Sequence, residues 1–351
     1  MKTQEFDFNT ASNVLPRDPI ELRGKSRDSG RMIVLDRSTS KIEHTLFTTI
    51  CDYFCPGDLL VLNDSYVLSD TLWFQCDNEC TQVTVCGHES DGTSIIEIVS
   101  KKLLVKPGLV LSSTDNNLLS CRLIKPVPSR LWKVKFEPSE LLVPTLDQYG
   151  TRIHLNQTHW ENTPQAYRSV YAKAPGSLEI PSAGLHFSHE MLSQAAAKGV
   201  EMAHITLHVG AAEILAVRHI SEEEIENHKV RSEYFEVGED AAARINRAMA
   251  EGRRVIAVGT TVMRTLESLA FNQQIKTAVK AQAGWTDLYI YPGFDFKVVD
   301  VLLTNLHQPR SSHIVLTAAF AGKDFVMRSY DEINEKNGYE FDMFGDSMLI
   351  V

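Results

Sequence analysis

Four polar loops carry most of the side chains in this chain that suit chemistry. Residues 175–187 combine Pro175, Gly176, Pro181 and Gly184 with His186, just ahead of a helix signal. Small residues let a ligand approach the backbone and an imidazole exchanges protons near neutral pH, but a tight turn around a hydrogen-bonded histidine has the same composition. Thr206-Leu207-His208-Val209-Gly210 puts His208 at a predicted strand end. Such ends commonly face the ligand crevice of an α/β sheet; a satisfied structural histidine is the alternative. His228 and Glu233 follow in a second polar stretch. Val258-Gly259-Thr260-Thr261 joins a strand signal to a helix signal, with Arg264 one turn in. Backbone N–H groups and hydroxyls there suit an anion such as a carboxylate, or form a simple N-cap. Thr304-Asn305-Leu306-His307-Gln308-Pro309 offers an amide and an imidazole, suited to purine or ribose recognition and equally to satisfying a loop backbone.

No P-loop, G-x-G-x-x-G, H-E-x-x-H or G-x-S-x-G pattern occurs, so the usual phosphate, dinucleotide, zinc-protease and serine-hydrolase readings lack support. The six cysteines are Cys51, Cys55, Cys76, Cys80, Cys86 and Cys121. Cys76-x-x-x-Cys80 ahead of Cys86-Gly87-His88 lacks the second compact pair of a structural zinc site. The cysteines therefore read chiefly as small apolar side chains, and no metal is expected.

These loops need strands and helices to hold them. Residues 31–36 and 58–63 are short apolar runs that read as buried strands, with a short helix over 48–55 between them. From about residue 68 to 136 the texture changes to short β pieces at 71–75, 81–86, 94–99, 118–124 and 131–136, separated by turns such as Glu89-Ser90-Asp91-Gly92. That pattern reads as a small barrel or sandwich. From Asn156 onward the pattern is α/β: helix 188–198 capped by Ser188, strand 201–209, helix 240–251, strand 255–258, helix 260–270, strand 297–303, and helices 312–321 and 325–336. The expectation is a layered α/β main domain built from residues 1–67 and 150–351, with an inserted small β-barrel domain at 68–149.

With 351 residues, 43% hydrophobic and 23% charged, the composition is that of a globular protein. Its apolar runs fall far short of the roughly 18 residues a membrane span requires, and its start lacks the apolar core of a signal peptide. A soluble, cytoplasmic protein without a membrane partner is expected. A net charge of −10 speaks against nucleic acid until it is divided by region. Residues 101–135 hold Lys101, Lys102, Lys106, Arg122, Lys125, Arg130, Lys133 and Lys135 against Asp115 alone, a window of +7 that leaves −17 for the rest. An acidic enzyme with one basic docking surface has this distribution, and so do solvated strand faces guarded by lysine. Trp132 is the main candidate for stacking within the window.

Taken in order, these segments resemble the S-adenosylmethionine:tRNA ribosyltransferase-isomerase family of queuosine biosynthesis. The resemblance is carried by Arg27-Asp28 and residues 31–37, Pro56-Gly57 and residues 58–63, Pro175-Gly176 and residues 181–187, residues 206–210, and His228 to Glu233-Tyr234. It continues through residues 255–261 with Arg264 and Glu267, Tyr291-Pro292-Gly293-Phe294, Val298-Val299-Asp300, residues 304–309 and Phe344-Gly345-Asp346-Ser347. It implies an α/β domain with an inserted β-barrel. It also implies a reaction in which the ribosyl part of S-adenosylmethionine passes to the aminomethyl group of a 7-deazaguanine at the tRNA wobble position. The ribose rearranges to an epoxycyclopentanediol while adenine and methionine leave. S-adenosylmethionine is then a substrate and not a cofactor, and the tRNA anticodon stem-loop is the macromolecular partner.

That chemistry asks for a base at the ribose carbon beside the sulfonium and for stabilisation of the leaving adenine. His186 and His208 are the side chains expected to transfer protons. Positions expected to touch substrate are Arg27, Asp28 and Asn63 early in the chain; Pro181, Ala183, Gly184 and Phe187 around the first histidine; and Gly210, His228 and Glu233 after the second. The last third adds Gly259, Thr260, Thr261, Arg264, Tyr291, Gly293, Asn305 and His307. Of these, Asn305 and His307 suit adenine or ribose, and Gly259-Thr260-Thr261 with Arg264 suits the methionine carboxylate.

Five segments depart from the family pattern. Asn63-Asp64-Ser65-Tyr66-Val67 loses a cation and gains a carboxylate; Glu179-Ile180 replaces small residues; Ala211-Ala212-Glu213-Ile214 replaces Gly, Thr and Phe positions; His313 enters at 311–313; and Pro19-Ile20-Glu21-Leu22-Arg23-Gly24 replaces the usual N-terminal motif. The departures gather in loops more than strands. Two alternatives follow: a paralogue that cleaves S-adenosylmethionine for a small-molecule acceptor, with Glu179 and Glu213 holding a cationic group, and a binding protein that has lost catalysis.

Overall fold

The computed structural model describes residues 1–9, 14–100, 103–152, 160, 163–210, 219–271 and 278–351. Asn156, Lys101, Lys102 and the departure at Ala211, Ala212, Glu213 and Ile214 lie outside the described residues. The first part of the chain forms β1 (Arg31–Asp36), β2 (Lys41–Leu46), β3 (Leu59–Asn63) and β4 (Ser65–Val67). Six strands follow: β5 (Thr71–Cys76), β6 (Glu79–His88), β7 (Ser94–Val99), β8 (Val110–Ser113), β9 (Ser120–Val127) and β10 (Leu131–Glu137). Then come α1 (Leu142–Tyr149), β11 (Ala174–Ser177), α2 (His189–Ala197), β12 (Glu201–His208), β13 (Glu233–Val237) and α3 (Glu239–Ala250). The chain ends with β14 (Val255–Val258), α4 (Thr260–Phe271), β15 (Gln282–Thr286), β16 (Val301–Asn305), α5 (Ser312–Ala321), α6 (Lys323–Lys336) and β17 (Ser347–Ile350).

The main sheet runs β15-β13-β12-β3-β14-β16-β17-β1-β2. Its centre, β12-β3-β14-β16, is parallel, and antiparallel pairs extend it on both sides. Every residue of β3, β14 and β16 is buried, as strands covered by helices on both faces must be. Helix α4 shows the complementary pattern: Val262, Met263, Leu266 and Leu269 recur at helical spacing and bury against the sheet. Each such side chain contributes roughly 1.5–3 kcal/mol by leaving water. Because the four central strands run the same way, Asn63, His208, Val258 and Asn305 all end at one edge of the sheet. Parallel α/β sheets bind ligands at that edge.

Strands β5 to β10 close into a barrel, in the order β10-β7-β6-β5-β8-β9. Alternate residues Leu72 and Phe74, Val83 and Val85, Leu123 and Cys121, and Trp132, Val134 and Phe136 point inward and fill it. Layered α/β architecture with a β-barrel set into it is therefore the fold, as expected. Among the described residues no helix is long and apolar enough to cross a membrane.

Several local expectations change. Strand β8, Val-Leu-Ser-Ser, is too short and polar to stand out in sequence, yet it pairs with both β5 and β9 and closes the barrel. The strand expected over 297–303 begins only at Val301. The buried Glu267 carboxylate takes the N–H groups of Lys297, Val298 and Val299 at 2.8–3.0 Å, which removes those residues from the ladder. The helix expected over 48–55 is a 3₁₀ segment, Phe47–Tyr53. Trp132 is 8% exposed inside the barrel, so it cannot stack on an external base. The basic window is also less free than its arithmetic: Lys133 pairs with Asp91 at 2.7 Å, and Arg122 and Lys135 both approach Glu137. Among the described residues Lys106, Lys125 and Arg130 remain exposed outside any ion pair. All six cysteines are free thiols, with Cys121 buried in the barrel core and Cys86 buried beside Ile95 and Leu131 in a separate small cluster.

Candidate active site

At the C-terminal edge of the parallel strands lies a cavity of about 280 Å³. Its walls come from the ends of β3, β12, β14 and β16, from the loops at 178–184 and 307–313, from β13 and β15, and from Gly87 and His88 of the barrel. Both architectural units thus contribute to one site. Of the expected residues, Asn63, Pro181, Ala183, Gly184, His208, Gly210, Glu233, Gly259, Thr260, Thr261, Arg264, Asn305 and His307 line it.

Asn63 extends the sheet past its last residue. Its side-chain amide donates to the Leu207 carbonyl and accepts from Leu207 N–H, both at 3.0 Å, acting as one more peptide unit. This use consumes both ends of the amide, so Asn63 shapes the floor and holds β12 in register. His208, at the end of β12, lies against the backbone of Gly176 on one side and stacks on Tyr234 on the other, with ring planes 16° apart. Gly176 sits at φ +148°, and a Cβ there would meet the imidazole at 2.6–2.8 Å. Only glycine leaves room. The His208 Nδ1 contacts Ser65 Oγ at 2.9 Å. Burial lowers the His208 pKa, opposed by the negative charge of Asp64, so the ring is held neutral near pH 7.

The β14–α4 turn forms a second wall. Gly259 at φ +97° starts helix α4, a twelve-residue helix whose first N–H groups open beside Thr260 and Thr261. Arg264 donates Nη1 to Glu233 at 2.5 Å and Nε to the Leu288 carbonyl at 3.0 Å, while its Nη2 is buried with no partner among the described residues. Glu233 also accepts from Gly210 N–H at 3.0 Å. Glu233 therefore anchors the arginine and the β12 loop, and one arm of the guanidinium is left for a ligand. A helix N-terminus with an unpaired buried guanidinium arm is an anion site.

Asn305 donates Nδ2 to the carbonyls of Asp342 and Met343; its buried Oδ1 makes no geometric hydrogen bond among the described residues, and its side chain interacts with the His186 ring. His307 Nε2 meets Thr304 Oγ1 at 2.9 Å, and its ring stacks on His313 with centroids 5.0 Å apart. The departures at Glu179, Ile180, Ser311, Ser312 and His313 thus line the cavity itself. Asp64 and Tyr66 do not: Asp64 accepts from Thr206 Oγ1, and Tyr66 lies under the Arg168 guanidinium and donates to Asp147.

Six expected residues stand elsewhere, together with His186. That imidazole packs on Phe47 with centroids 5.0 Å apart and lines a separate small cleft with Arg27, Gly30 and Asp346. Burial takes its pKa down to about 4, opposed by the Asn305 side chain and assisted by Arg27. Phe187 is fully buried against Phe47. Arg27 donates to the Arg168 carbonyl and pairs with Glu21, and Asp28 accepts from Ser188, the cap of α2. His228 is buried against Glu222 at 3.0 Å, and Tyr291 with Gly293 lies on an outer turn. Conversely, His88, Tyr234, Trp285, Tyr289 and Arg231 line the cavity without having been singled out as substrate contacts. His88 read in sequence as a neighbour of cysteines, and no local spacing connects a barrel residue to a strand end more than a hundred positions away. Its Nδ1 meets Ser94 Oγ at 3.0 Å, its Nε2 is buried without a partner among the described residues, and burial lowers its pKa to about 4.

Comparison with known proteins gives a consistent picture. The sequence model of the queuosine biosynthesis protein family matches residues 3–350. The S-adenosylmethionine:tRNA ribosyltransferase-isomerase of Desulfitobacterium hafniense is 37% identical over 362 residues, spanning all of both chains. That of Halothermothrix orenii is 37% identical over 356 residues, again spanning all of both chains. Among solved structures, the S-adenosylmethionine tRNA ribosyltransferase of Thermotoga maritima superposes with a TM-score of 0.55 at 31% identity, covering 99% of this chain and 100% of that one.

Proposed function

This chain belongs to the queuosine biosynthesis protein family, and on that premise we propose that it is an S-adenosylmethionine:tRNA ribosyltransferase-isomerase. It transfers and isomerises the ribosyl part of S-adenosylmethionine onto the aminomethyl group of a 7-deazaguanine base at the wobble position of the tRNA anticodon stem-loop. Adenine and methionine leave. The observation that carries this reading is the cavity where strand ends of the α/β sheet and the barrel residue His88 meet, in a chain similar to these enzymes over its full length.

The parts of the substrate match parts of the wall. The α4 N-terminus and the open arm of Arg264 receive the methionine carboxylate. The Asn305 acceptor, within reach of an exocyclic amino group, and the His307–His313 stack take the adenine. His208 stands among them as a neutral imidazole at the end of β12. Proton removal from the carbon beside the sulfonium is favoured by that positive charge. The barrel supplies the tRNA contact through Lys106, Lys125 and Arg130, and it brings His88 to the acceptor side.

Incubation with S-adenosylmethionine and tRNA bearing the deazaguanine precursor tests the proposal. Adenine release with a matching mass gain on the tRNA supports it. The cavity departure Glu179 favours, as second reading, an enzyme that cleaves S-adenosylmethionine for a small cationic acceptor; adenine release without mass gain would select it.

A further inference from the structure

We infer that Ser65 and Ser177 are positioning residues that fix His208 as a hydrogen-bond donor into the cavity, so that it acts as a neutral electrophile and not as the base. The inference rests on the function proposed above and narrows one residue's role in it.

Val209 N–H donates to Ser177 Oγ at 3.0 Å, Ser177 Oγ lies 2.6 Å from Ser65 Oγ, and Ser65 Oγ lies 2.9 Å from His208 Nδ1. Ser65 and Ser177 are both buried, and each hydroxyl has one hydrogen to place. A backbone N–H can only donate, so Ser177 accepts at that end. Among the described residues its own hydrogen has one acceptor within reach, Ser65 Oγ. Ser65 then gives its hydrogen to His208 Nδ1. With Nδ1 accepting, the neutral ring carries its proton on Nε2. Run the other way, the chain leaves the Ser177 hydrogen buried without an acceptor, which is costly. A doubly protonated ring meets the same obstacle.

The ring cannot turn away from this arrangement, because Gly176 and Tyr234 close on its two faces. His208 therefore presents Nε2–H along the edge remote from Ser65, in a residue that lines the cavity. A neutral imidazole whose other nitrogen is occupied is a poor base but a good donor, the role the neutral histidine of triosephosphate isomerase illustrates. In the reaction, the carbon–nitrogen bond to adenine breaks and its electron pair goes to the adenine nitrogen, where Nε2–H stabilises the growing charge. No bond to the imidazole forms or breaks. The proton taken from the ribose carbon by a separate base balances the one adenine finally carries.

Selective ¹⁵N-histidine labelling of the whole protein reads the tautomer directly, with the His208 signal assigned by its loss in His208→Gln. Wild type should show Nε2–H across pH 6–8, and Ser65→Ala or Ser177→Ala should lose that fixed tautomer. The same variants should lower kcat for adenine release by about 10–100-fold with KM for S-adenosylmethionine within about threefold, and Ser65→Thr should restore most of it. His208→Gln, which keeps an N–H, should exceed His208→Ala by about tenfold. Nδ1–H in the wild type overturns the inference, as does equal loss in His208→Gln and His208→Ala. Neither result touches the proposed function, which falls only if wild-type protein leaves tRNA unmodified; the tautomer reading itself needs only His208→Gln to fold, for the assignment.

Discussion

Arg231, on the wall of the cavity, grips Glu89 on the rim of the barrel with an N–O distance of 2.8 Å. Glu89 follows His88 directly, so this pair ties the two architectural units together beside the barrel's own contribution to the site. Both side chains are about a third exposed, which limits the pair's coupling to roughly 0.2–1 kcal/mol. Its importance is geometric. Glu89→Ala should leave the melting temperature within a few degrees while raising KM for tRNA several-fold, measured by adenine release at saturating S-adenosylmethionine. An unchanged KM would mean that the pair does not set the acceptor side.

Gly176→Ala should be nearly inactive. The added methyl would enter the His208 ring at 2.6–2.8 Å, and φ +148° disfavours any side chain, a strain of about 1–3 kcal/mol. Adenine release is expected to fall at least about tenfold, since small misplacements of a reacting group are expensive. Full activity in a folded Gly176→Ala protein would remove His208 from the reaction.

Arg264→Lys separates the two jobs of that guanidinium. A lysine still neutralises Glu233 but lacks the second arm, which is buried without a partner among the described residues. KM for S-adenosylmethionine should rise about tenfold, the worth of one charge-assisted hydrogen bond, with kcat little changed. Loss confined to kcat would contradict the carboxylate site.

Stability should carry a signature of Asp346. Burial raises its carboxyl from 3.8 to about 6, even though the N–H groups of Arg31 and Glu340 donate to it. The folded protein then holds a proton that the unfolded chain has already released between about pH 4 and 6. Its contribution is fully present below about pH 4 and is lost as pH rises through about 6. The difference in unfolding free energy between wild type and Asp346→Asn should change by on the order of 2–3 kcal/mol across that window and be flat above it. Urea titrations at several pH values check this; a difference independent of pH would show that the carboxyl is not perturbed.

Much of this molecule was legible in its sequence, for identifiable reasons. The strand ends at Asn63, His208, Val258 and Asn305 sit where apolar runs stop, and α/β geometry gathers such ends without further information. Ser188 caps α2 as its type and position predict, accepting from Met191 N–H. What failed depended on distant partners. Strand 297–303 lost its start to a glutamate thirty residues earlier. His186 looked identical to His208 in sequence, but its helix turn faces Phe47 and a different cleft. His88 belongs to the site because the barrel folds over the sheet, and a single-sequence period does not encode that approach.

The +7 window shrinks once Asp91 and Glu137 are placed against Lys133, Arg122 and Lys135. Replacing Lys106, Lys125 and Arg130 together with glutamine should weaken tRNA binding and reduce the slope of log affinity against log salt by about 2–3, whereas Lys133→Gln alone should do little. No change in slope would make the barrel a solvated face.

The most direct measurement is mass spectrometry of tRNA after incubation with the protein and S-adenosylmethionine, with adenine quantified in the same reaction. The expected result is one adenine released for each wobble deazaguanine that gains the rearranged ribosyl group. Adenine release with unmodified tRNA, or no release at all in folded protein, would contradict the account.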